Sequence, residues 1–202
     1  MTTTIFLIRH GQTESNVNGF FTGWTDEDIN EAGQIQSRRL ARRLAGFPIT
    51  SVYTSPLRRA YTTAMILAGH HRVEPEASDD LIDIKLGDWQ GRPMDEIQRR
   101  WPDRWKEWRA NPSDVNIPNG ENLSQVAERA VRSFDRIVAA NPGKQAVIVT
   151  HNLIVKVLVA HVLGVPYGIN RRFQVSNASL NTVEVTDGSL RLVRLNDTSH
   201  LE

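Results

Sequence analysis

Short apolar segments alternate with longer segments of helical periodicity along this chain. The segments Thr4–Ile8, Ile49–Tyr53 and Gln145–Val149 are rich in apolar and β-branched residues and end at polar residues, which predicts buried parallel strands. Between them, apolar residues recur every three to four positions, as in a helix that buries one face. Helices are predicted from Gly33 onward and at Arg59–Ala68, Asp95–Arg109, Leu123–Ala140 and Leu153–Leu163, and a short strand at Val73–Ala77.

The order of these elements predicts the fold class. Strands that alternate with helices indicate a three-layer α/β/α fold with a mainly parallel central sheet. Near the C terminus, Thr182–Val185 and Leu190–Leu195 flank Asp187-Gly188, which predicts an antiparallel hairpin. We expect a single domain over residues 1–202 with a lid-like helical insertion at about residues 92–122. Residues 111–122 hold two prolines and are expected to form a surface loop near a site.

Composition and charge exclude several kinds of protein. The sequence has no cysteine, which excludes disulfides, thiolate catalysis and cysteine-ligated metal sites. Its formal net charge of +1 provides no general attraction to nucleic acid. No segment approaches the roughly 20 apolar residues that a membrane span requires, and the first apolar run is too short for a secretory signal. We therefore expect a cytoplasmic protein, a monomer or homodimer, without nucleic-acid or membrane partners.

Two histidines directly follow predicted strands. His10 comes after the first strand, and His151 comes after the strand at Gln145–Val149. In open α/β sheets the ligand crevice forms at the carboxyl ends of the strands, so histidines that are distant in sequence can meet there. Arg9 and Arg59 also lie just beyond strands, and the planar fork of guanidinium fits phosphate oxygens. The sequence thus predicts a pocket for an anion.

The segment around His10 carries a family resemblance. Leu7-Ile8-Arg9-His10-Gly11-Gln12-Thr13-Glu14-Ser15-Asn16 resembles the signature of the histidine phosphatase superfamily, in its phosphoglycerate-mutase-like branch. The resemblance spans nearly the whole chain, because further motifs follow in the family's order. These motifs are Phe21-Thr22-Gly23-Trp24, Ser55-Pro56-Leu57-Arg58-Arg59-Ala60, Leu86-Gly87-Asp88-Trp89-Gln90-Gly91, Asn119-Gly120-Glu121, Val149-Thr150-His151 and Ser176-Asn177-Ala178-Ser179.

The resemblance implies a role for each matching residue. His10 would attack phosphorus as the nucleophile, a role that a neutral imidazole suits near neutral pH. Arg9, Arg59 and His151 would bind the phosphoryl oxygens and stabilise the transition state without a metal ion. No metal site and no cofactor is expected. The further expected contacts to phosphate or substrate are Asn16, which would assist, and Thr22, Gly23 and Asn152.

This sequence departs from the family pattern at two positions. Most relatives carry a glutamate that protonates the leaving group, whereas the segment Leu81-Ile82-Asp83-Ile84 makes Asp83 the expected acid, one methylene shorter. Relatives usually have glycine after the second histidine, and Asn152 here either crowds the phosphate or adds a donor. Gly11 matches the pattern and is expected to let the backbone pass close to the ligand, because it has no Cβ.

Three tryptophans and one glutamate are candidates for substrate specificity. Trp101, Trp105 and Trp108 are spaced four and three residues apart, so on one helix they would share a face. They either pack a lid helix onto the core, or Trp105 and Trp108 line the pocket and contact the leaving group. Glu121 is interpreted either as a residue near a helix N-terminus or as the partner of an active-site arginine.

Three functional hypotheses follow. The leading one is metal-independent hydrolysis of a small phosphorylated metabolite through a phosphohistidine on His10, with Asp83 as proton donor. The resemblance suggests phosphoserine, α-ribazole phosphate, a sugar phosphate or glucosyl-3-phosphoglycerate as the substrate. A cofactor-dependent phosphoglycerate mutase is favoured by Phe21-Thr22-Gly23-Trp24 but disfavoured by length, since mutases of this family are longer. A non-catalytic phosphate-binding protein is disfavoured because His10, His151 and Arg59 are all retained.

Overall fold

A mixed six-stranded sheet forms the centre of the computed structural model, which describes residues 1–110, 112 and 115–202. Its spatial order is β3-β2-β4-β1-β5-β6. Strands β1 to β4 are parallel, whereas β5 is antiparallel to β1 and β6 to β5. The predicted mainly parallel sheet with a C-terminal antiparallel hairpin is confirmed. The strands are β1 (Thr2–Arg9), β2 (Ile49–Thr54), β3 (Pro75–Ala77), β4 (Gln145–Thr150), β5 (Leu180–Thr186) and β6 (Ser189–Asp197).

Helices connect the strands and cover the sheet. Within the described residues, none of them combines the length and the apolar character that crossing a membrane requires. Short 3-10 turns lie at Asp79–Leu81, Gly87–Trp89, Tyr167–Arg171 and Ser199–Leu201. The α-helices are α1 (Glu14–Asn18), α2 (Glu31–Leu44), α3 (Arg58–Ala68), α4 (Met94–Arg100), α5 (Pro102–Ala110), α6 (Leu123–Ala140) and α7 (Asn152–Leu163).

The alternation of side chains along β1 explains the three layers. Ile5 and Leu7 point to one face of the sheet and pack with α6 and α7, while Phe6 and Ile8 point to the other face and pack with α2 and α3. All four side chains are buried, so both faces of the strand are covered. The α/β/α arrangement predicted from the sequence follows from this pattern.

The strand register brings three loops to one edge of the sheet. Arg9 of β1 lies opposite Thr150 of β4, and Thr54 of β2 lies opposite Val149. The amide of His10 donates a hydrogen bond to Thr150 O at 2.9 Å, which continues the ladder beyond the strand. The residues that follow β1, β2 and β4 therefore emerge side by side at the carboxyl edge, where a ligand crevice is expected.

The helical segment predicted at Asp95–Arg109 is two helices. The prediction of one continuous helix was wrong because Pro102 lacks an amide proton and disfavours helical geometry at the residue before it. Trp101 accordingly has φ −134° and ψ 58°, and it ends α4. Trp101 therefore does not share a helix with Trp105 and Trp108, which lie on α5.

The loop after β1 is held tightly against α2 by two glycines. A Cβ on Gly11 would lie 2.6 Å from Gly33 O, and one on Gly33 would lie 2.2 Å from Gln12 O. Gly11 is thus required by its contact with the start of α2, while the close approach to a ligand expected from the sequence stays a prediction. This contact fixes the direction in which the chain leaves His10.

The predicted lid-like insertion at residues 92–122 contains α4 and α5. Ile97 of α4 is buried, whereas α5 contributes Trp105 and Trp108, which are partly buried against the core. The predicted loop at residues 111–122 falls partly on positions 111, 113 and 114, which lie outside the described residues. The single domain and the limits of the insertion stay predictions.

Candidate active site

A cavity of about 830 Å³ opens at the carboxyl edge of the sheet. Arg59 and His151 do not line it but lie behind its wall, with 1% and 0% of their surfaces exposed. Glu121 is not among the lining residues either. The predicted site residues that do line the cavity are Arg9, His10, Asn16, Thr22, Gly23, Asp83, Trp105, Trp108 and Asn152.

His10 is held in one tautomer. Its Nδ1 lies 2.7 Å from the carbonyl oxygen of Gly11, and a carbonyl can only accept, so Nδ1 carries the proton. The lone pair is then on Nε2, as a nucleophile requires. Burial, together with the nearby cations Arg9 and Arg59, holds the pKa of His10 well below its usual 6.5. The imidazole is consequently neutral at neutral pH.

His151 lies against His10 with ring centroids 5.2 Å apart and an interplanar angle of 61°. Its Nε2 shares a hydrogen bond of 2.8 Å with the hydroxyl of Ser55, which follows β2. Its Nδ1 is buried without a hydrogen-bond partner among the described residues and lies 3.8 Å from Asp83 Oδ2. Burial and the surrounding cations, chiefly Arg59, lower the pKa of His151 well below its usual value. His151 is thus available as a hydrogen-bonding group beside the nucleophile.

Two arginines supply positive charge at the inner end of the cavity, Arg9 in its lining and Arg59 behind that lining. Arg59 donates to Gly23 O and Thr25 O, both at 2.7 Å, which fixes its guanidinium. Arg9 donates to Val175 O at 2.8 Å, while its Nε is buried with no hydrogen-bond partner in the part of the chain that the structure describes. Burial lowers the pKa of Arg9 to about 10, so the side chain remains cationic at neutral pH. Fixed cations with unused donors suit an oxyanion.

Asp83 faces both the arginine and the second histidine. Its Oδ2 lies 3.6 Å from Arg59 Nη2, and its Oδ1 accepts a hydrogen bond of 2.9 Å from the amide of Ile84. Burial raises the pKa of Asp83 above its usual 3.8, although Arg59 and the Ile84 amide oppose that rise. A carboxyl group whose pKa is raised keeps its proton to higher pH, which suits a general acid.

An asparagine pair connects the loop after His10 to the segment before β5. The Asn177 side chain donates to Asn16 Oδ1 at 2.8 Å and approaches His10 O at 3.2 Å. Asn16 Oδ1 also accepts from the amide of Thr13 at 3.3 Å, so its NH₂ group is left for a ligand. Sequence reasoning quoted Asn177 within a motif but did not place it at the site.

The remaining residues predicted to contact the ligand line the cavity and also make contacts within the protein. The Asn152 side chain donates to Val175 O at 3.0 Å, the same carbonyl that Arg9 uses. Gly23 has φ +50°, and a Cβ there would lie 2.9 Å from Ile84 O, so its backbone comes close to the segment that carries Asp83. Thr22 lines the cavity and its carbonyl accepts from the amide of Thr25 at 2.8 Å.

Glu121 pairs with an arginine that sequence reasoning missed. Both carboxylate oxygens accept from Arg129, each at 2.9 Å. Glu121 directly precedes the N-cap of α6 and so lies near a helix N-terminus, and its partner Arg129 is an arginine outside the predicted site. Arg129 lies on α6, 46 residues after Asp83, and no local sequence signal marks it. The same guanidinium also holds the segment of Asp83 by its backbone.

The tryptophans of α5 form an aromatic wall. Trp105 and Trp108 stack with ring centroids 5.5 Å apart, and both meet the ring of Phe21 edge-on at 5.9 and 6.1 Å. Both tryptophans line the cavity and also pack on the core, so the two interpretations of their role are compatible. Trp101 contacts Arg92 and Arg100 instead and does not line the cavity.

Sequence reasoning also missed Lys156 and Arg171, which line the cavity. Lys156 had a visible signal, because the helix Leu153–Leu163 is otherwise almost entirely apolar. The described residues contain no cluster of three His, Asp or Glu side chains that could hold a metal ion. The cavity instead has arginine, lysine and imidazole groups, whose chemistry suits an anion.

Comparison with known proteins agrees with this chemistry. Residues 5–198 match the family model described as histidine phosphatase superfamily (branch 1). Phosphoserine phosphatase 1 of Hydrogenobacter thermophilus is 28% identical over 98% of this chain and 93% of its own length. Phosphoglycerate mutase-like protein 4 of Arabidopsis thaliana is 32% identical over 98% of this chain and 86% of its own length.

A solved structure shares the fold closely. The structure of YhfR from Bacillus stearothermophilus superimposes with a TM-score of 0.94 and 31% sequence identity. The match covers 99% of this chain and 100% of that one.

Proposed function

Since the chain belongs to the histidine phosphatase superfamily (branch 1) and is a phosphomonoester hydrolase, we propose that it works through a phosphohistidine on His10. The family and the enzyme class predicted from the sequence motifs are confirmed. The observation that carries the proposed mechanism is the His10 tautomer, in which Nδ1 donates to Gly11 O at 2.7 Å and the lone pair is left on Nε2. Arg9 and Asp83 line the same cavity as His10, so it holds both a cation for the phosphoryl oxygens and a proton source.

In the first step, His10 Nε2 attacks phosphorus. The N–P bond forms as the bond from phosphorus to the bridging oxygen breaks, and Asp83 gives its proton to that oxygen. Without the proton an alkoxide would leave, which is slow for an alkyl phosphate. The raised pKa of Asp83 supports this role, because a proton must be present on the carboxyl before transfer.

In the second step, water attacks the phosphohistidine. The Asp83 carboxylate left by the first step takes a proton from the water, the N–P bond breaks, and inorganic phosphate leaves. The proton that Asp83 gave is thereby restored. His10 returns to its neutral form with Nε2 unprotonated, so one turnover consumes one water and leaves the enzyme unchanged.

The phosphoryl oxygens carry the charge of the transition state. Arg9 and Arg59 supply guanidinium groups, and His151 and Asn16 supply neutral hydrogen-bonding groups. Fixed donors in a buried site stabilise such charge more than water does, because they need no reorganisation. The unpartnered Arg9 Nε and His151 Nδ1 support this assignment, since buried polar atoms normally have partners.

A small phosphorylated metabolite is the proposed substrate. Phosphoserine is the first compound to test, because one relative is named a phosphoserine phosphatase. The proposed location is the cytoplasm, as expected from the cysteine-free sequence. The oligomeric state, monomer or homodimer, is part of the same proposal.

A mutase remains the second candidate function. One relative carries the name phosphoglycerate mutase-like, and Phe21-Thr22-Gly23-Trp24 favours this reaction. A mutase returns the phosphoryl group to an acceptor hydroxyl, whereas a hydrolase gives it to water. Release of inorganic phosphate and isomerisation of 3-phosphoglycerate, measured on one enzyme sample, separate the two. A non-catalytic phosphate-binding protein would show neither activity.

Trapping the intermediate tests the mechanism. A ³²P-labelled phosphomonoester, quenched within one turnover, should leave a label on His10 that is acid-labile and base-stable. The His10→Ala variant should take up no label, while His161→Ala, a control outside the cavity, should label like the original protein. A label on any other residue would overturn the assignment of the nucleophile.

A further inference from the structure

We propose that Lys156, with Arg171 beside it, binds a second anionic group on the leaving group of the substrate. The preferred substrates are then phosphomonoesters that also carry a carboxylate or a second phosphate. This inference rests on the proposed function, since it takes the phosphoryl group to lie at His10.

The position of Lys156 sets the distance between the two anionic groups. Lys156 follows Asn152 by four residues on α7, so their side chains lie on one helix face with Cβ atoms roughly 5–6 Å apart. Asn152 and Arg9 donate to the same carbonyl, Val175 O, at 3.0 and 2.8 Å. The part of the cavity lining next to the proposed phosphate position is therefore fixed. The ammonium group of Lys156 lies one helical turn farther from that position.

The surroundings of Lys156 favour an anionic ligand. The side chain is partly buried, and its Nζ lies 5.9 Å from the centroid of the Phe173 ring. No ion pair within the described part of the chain includes Lys156, Arg171 or Arg109. Burial, and after it Arg9 and Arg171, lower the pKa of Lys156. An anion bound here would relieve that repulsion.

Arg171 lines the same cavity as Lys156, and its guanidinium is held in place by hydrogen bonds. Its Nη1 donates to Arg109 O at 2.9 Å and its Nη2 donates to Trp108 O at 2.8 Å. Its guanidinium also lies 4.6 Å from the centroid of the Trp108 ring. The C-terminal turn of α5 thus holds this cation against the aromatic wall, where a leaving group would pass.

The charges around the cavity do not balance. Among the described lining residues, Arg9, Arg109, Lys156 and Arg171 are cationic, and Asp83 carries the one carboxyl group. As the proposed general acid, that carboxyl group holds a proton when substrate binds, so it does not neutralise the lining cations. A phosphomonoester brings a charge of about −1.5 to −2, which Arg9 in the lining and Arg59 behind it balance in the proposed mechanism. The three cations farther out are left for a second anion.

Matched inhibitors test the proposal. Glycerol 3-phosphate and 3-phosphoglycerate differ by a carboxylate, and fructose 6-phosphate and fructose 1,6-bisphosphate differ by a phosphate. Competitive inhibition constants against p-nitrophenyl phosphate hydrolysis compare each pair. We expect the more anionic member to bind roughly 10- to 100-fold more tightly, the scale of one charge-assisted hydrogen bond. Whichever pair shows the larger preference identifies the anion as a carboxylate or a phosphate.

Variants test whether Lys156 is responsible for the preference for the more anionic inhibitor. Lys156→Met nearly keeps the length of the side chain and removes its charge, so this variant should lose most of the preference for the more anionic inhibitor. Lys156→Arg keeps the charge and should retain the preference. Lys144→Met is the matched control, because Lys144 is exposed at the opposite edge of the sheet, before β4. Equal inhibition constants within both pairs, or an unchanged preference in Lys156→Met, would overturn the proposal.

A failure of the proposed function would give different results from a failure of the second-anion site. A protein that hydrolyses none of these esters, p-nitrophenyl phosphate included, would contradict the hydrolase mechanism. Titration calorimetry of the same pairs then gives the affinities without turnover. A preference for the more anionic members that disappears in Lys156→Met would still support the second-anion site, and its absence would overturn it.

Discussion

The side chain of Arg129 donates a hydrogen bond of 2.9 Å to the carbonyl oxygen of Asp83. The same guanidinium donates to Ile82 O at 2.6 Å and to Asp80 O at 3.0 Å. Glu121 binds its other side and also accepts from the amide of Lys85 at 2.8 Å. One mostly buried ion pair therefore fixes the backbone on both sides of the proposed acid.

Arg129→Met should lower stability and acid catalysis together. Breaking a buried pair costs about 3–5 kcal/mol, because the partner charge is left without compensation. In protein that remains folded, kcat for an alkyl phosphate should fall further than kcat for p-nitrophenyl phosphate, since the carboxyl of Asp83 is displaced. Chemical denaturation and kinetics with the two leaving groups measure this.

Arg132→Met is the control for that variant. Arg132 lies one turn along α6, is half-exposed and pairs with Asp80 at the surface, where solvent screens the ion pair. Its kinetics should match those of the original protein. Equal losses for both leaving groups in Arg129→Met would mean that Arg129 supports the fold without positioning Asp83.

The sequence predicted the sheet because its strands are buried on both faces. Phe6, Leu7 and Ile8 form a continuous apolar run, which is the pattern of a covered parallel strand. The meeting of His10 and His151 followed from the rule that ligands bind at the carboxyl edge of such sheets. These features depend on local patterns, and local patterns can be recognised in one sequence.

The features that were missed depend on contacts between distant segments. Arg129 looks like an ordinary polar residue of an amphipathic helix, and only the fold brings it to the carbonyl of Asp83. The requirement for Gly11 comes from the carbonyl of Gly33, 22 residues later. The break between α4 and α5 at Trp101 and Pro102, in contrast, has a local cause and is predictable from the sequence, because proline lacks an amide proton.

Trp105→Ala and Trp108→Ala should alter substrate preference as well as stability. Each ring is partly buried, so we expect a loss of roughly 1–3 kcal/mol, less than the ~3–5 kcal/mol of a fully buried tryptophan. Trp108→Ala also removes the ring beneath Arg171, so it should weaken selection for a second anion more than Trp105→Ala does. Thermal unfolding and kcat/KM over a panel of phosphomonoesters measure both effects.

Trp101→Ala is the matched control for the aromatic wall. Trp101 is partly buried but does not line the cavity, so its removal should reduce stability without changing the ranking of substrates. An unchanged ranking in all three variants would assign Trp105 and Trp108 to packing alone.

Hydrolysis should continue in excess EDTA and be inhibited by vanadate. In the proposed mechanism, arginine and imidazole groups take the positions at the phosphoryl oxygens that metal ions take in other phosphatases, and vanadate resembles the transition state in shape and charge. Initial rates with and without EDTA, then with added Mg²⁺, measure the dependence. A rate that is lost on chelation and restored by Mg²⁺ would contradict the metal-independent mechanism.

Asp83→Asn tests the proposed acid most directly. The amide preserves size and polarity but cannot give up a proton as an acid. For alkyl phosphates we expect kcat to fall by roughly 10²- to 10⁴-fold, the usual contribution of general acid catalysis. For p-nitrophenyl phosphate, whose leaving group needs little protonation, the fall should be much smaller. Asp83→Glu should retain measurable activity, because one methylene moves the carboxyl by only ~1.5 Å.

The pH dependence of the same variant gives an independent measurement. Burial raises the pKa of Asp83, so its acid form persists above the usual range, and kcat/KM for an alkyl phosphate should fall as pH rises through that pKa. The fall should be absent in Asp83→Asn. The pKa of His10 is well below 6.5, so its protonation reduces the rate only at lower pH in both proteins. If the falling limb persists in Asp83→Asn, or if both leaving groups lose the same factor, the proton comes from another group, and a bound water becomes the candidate.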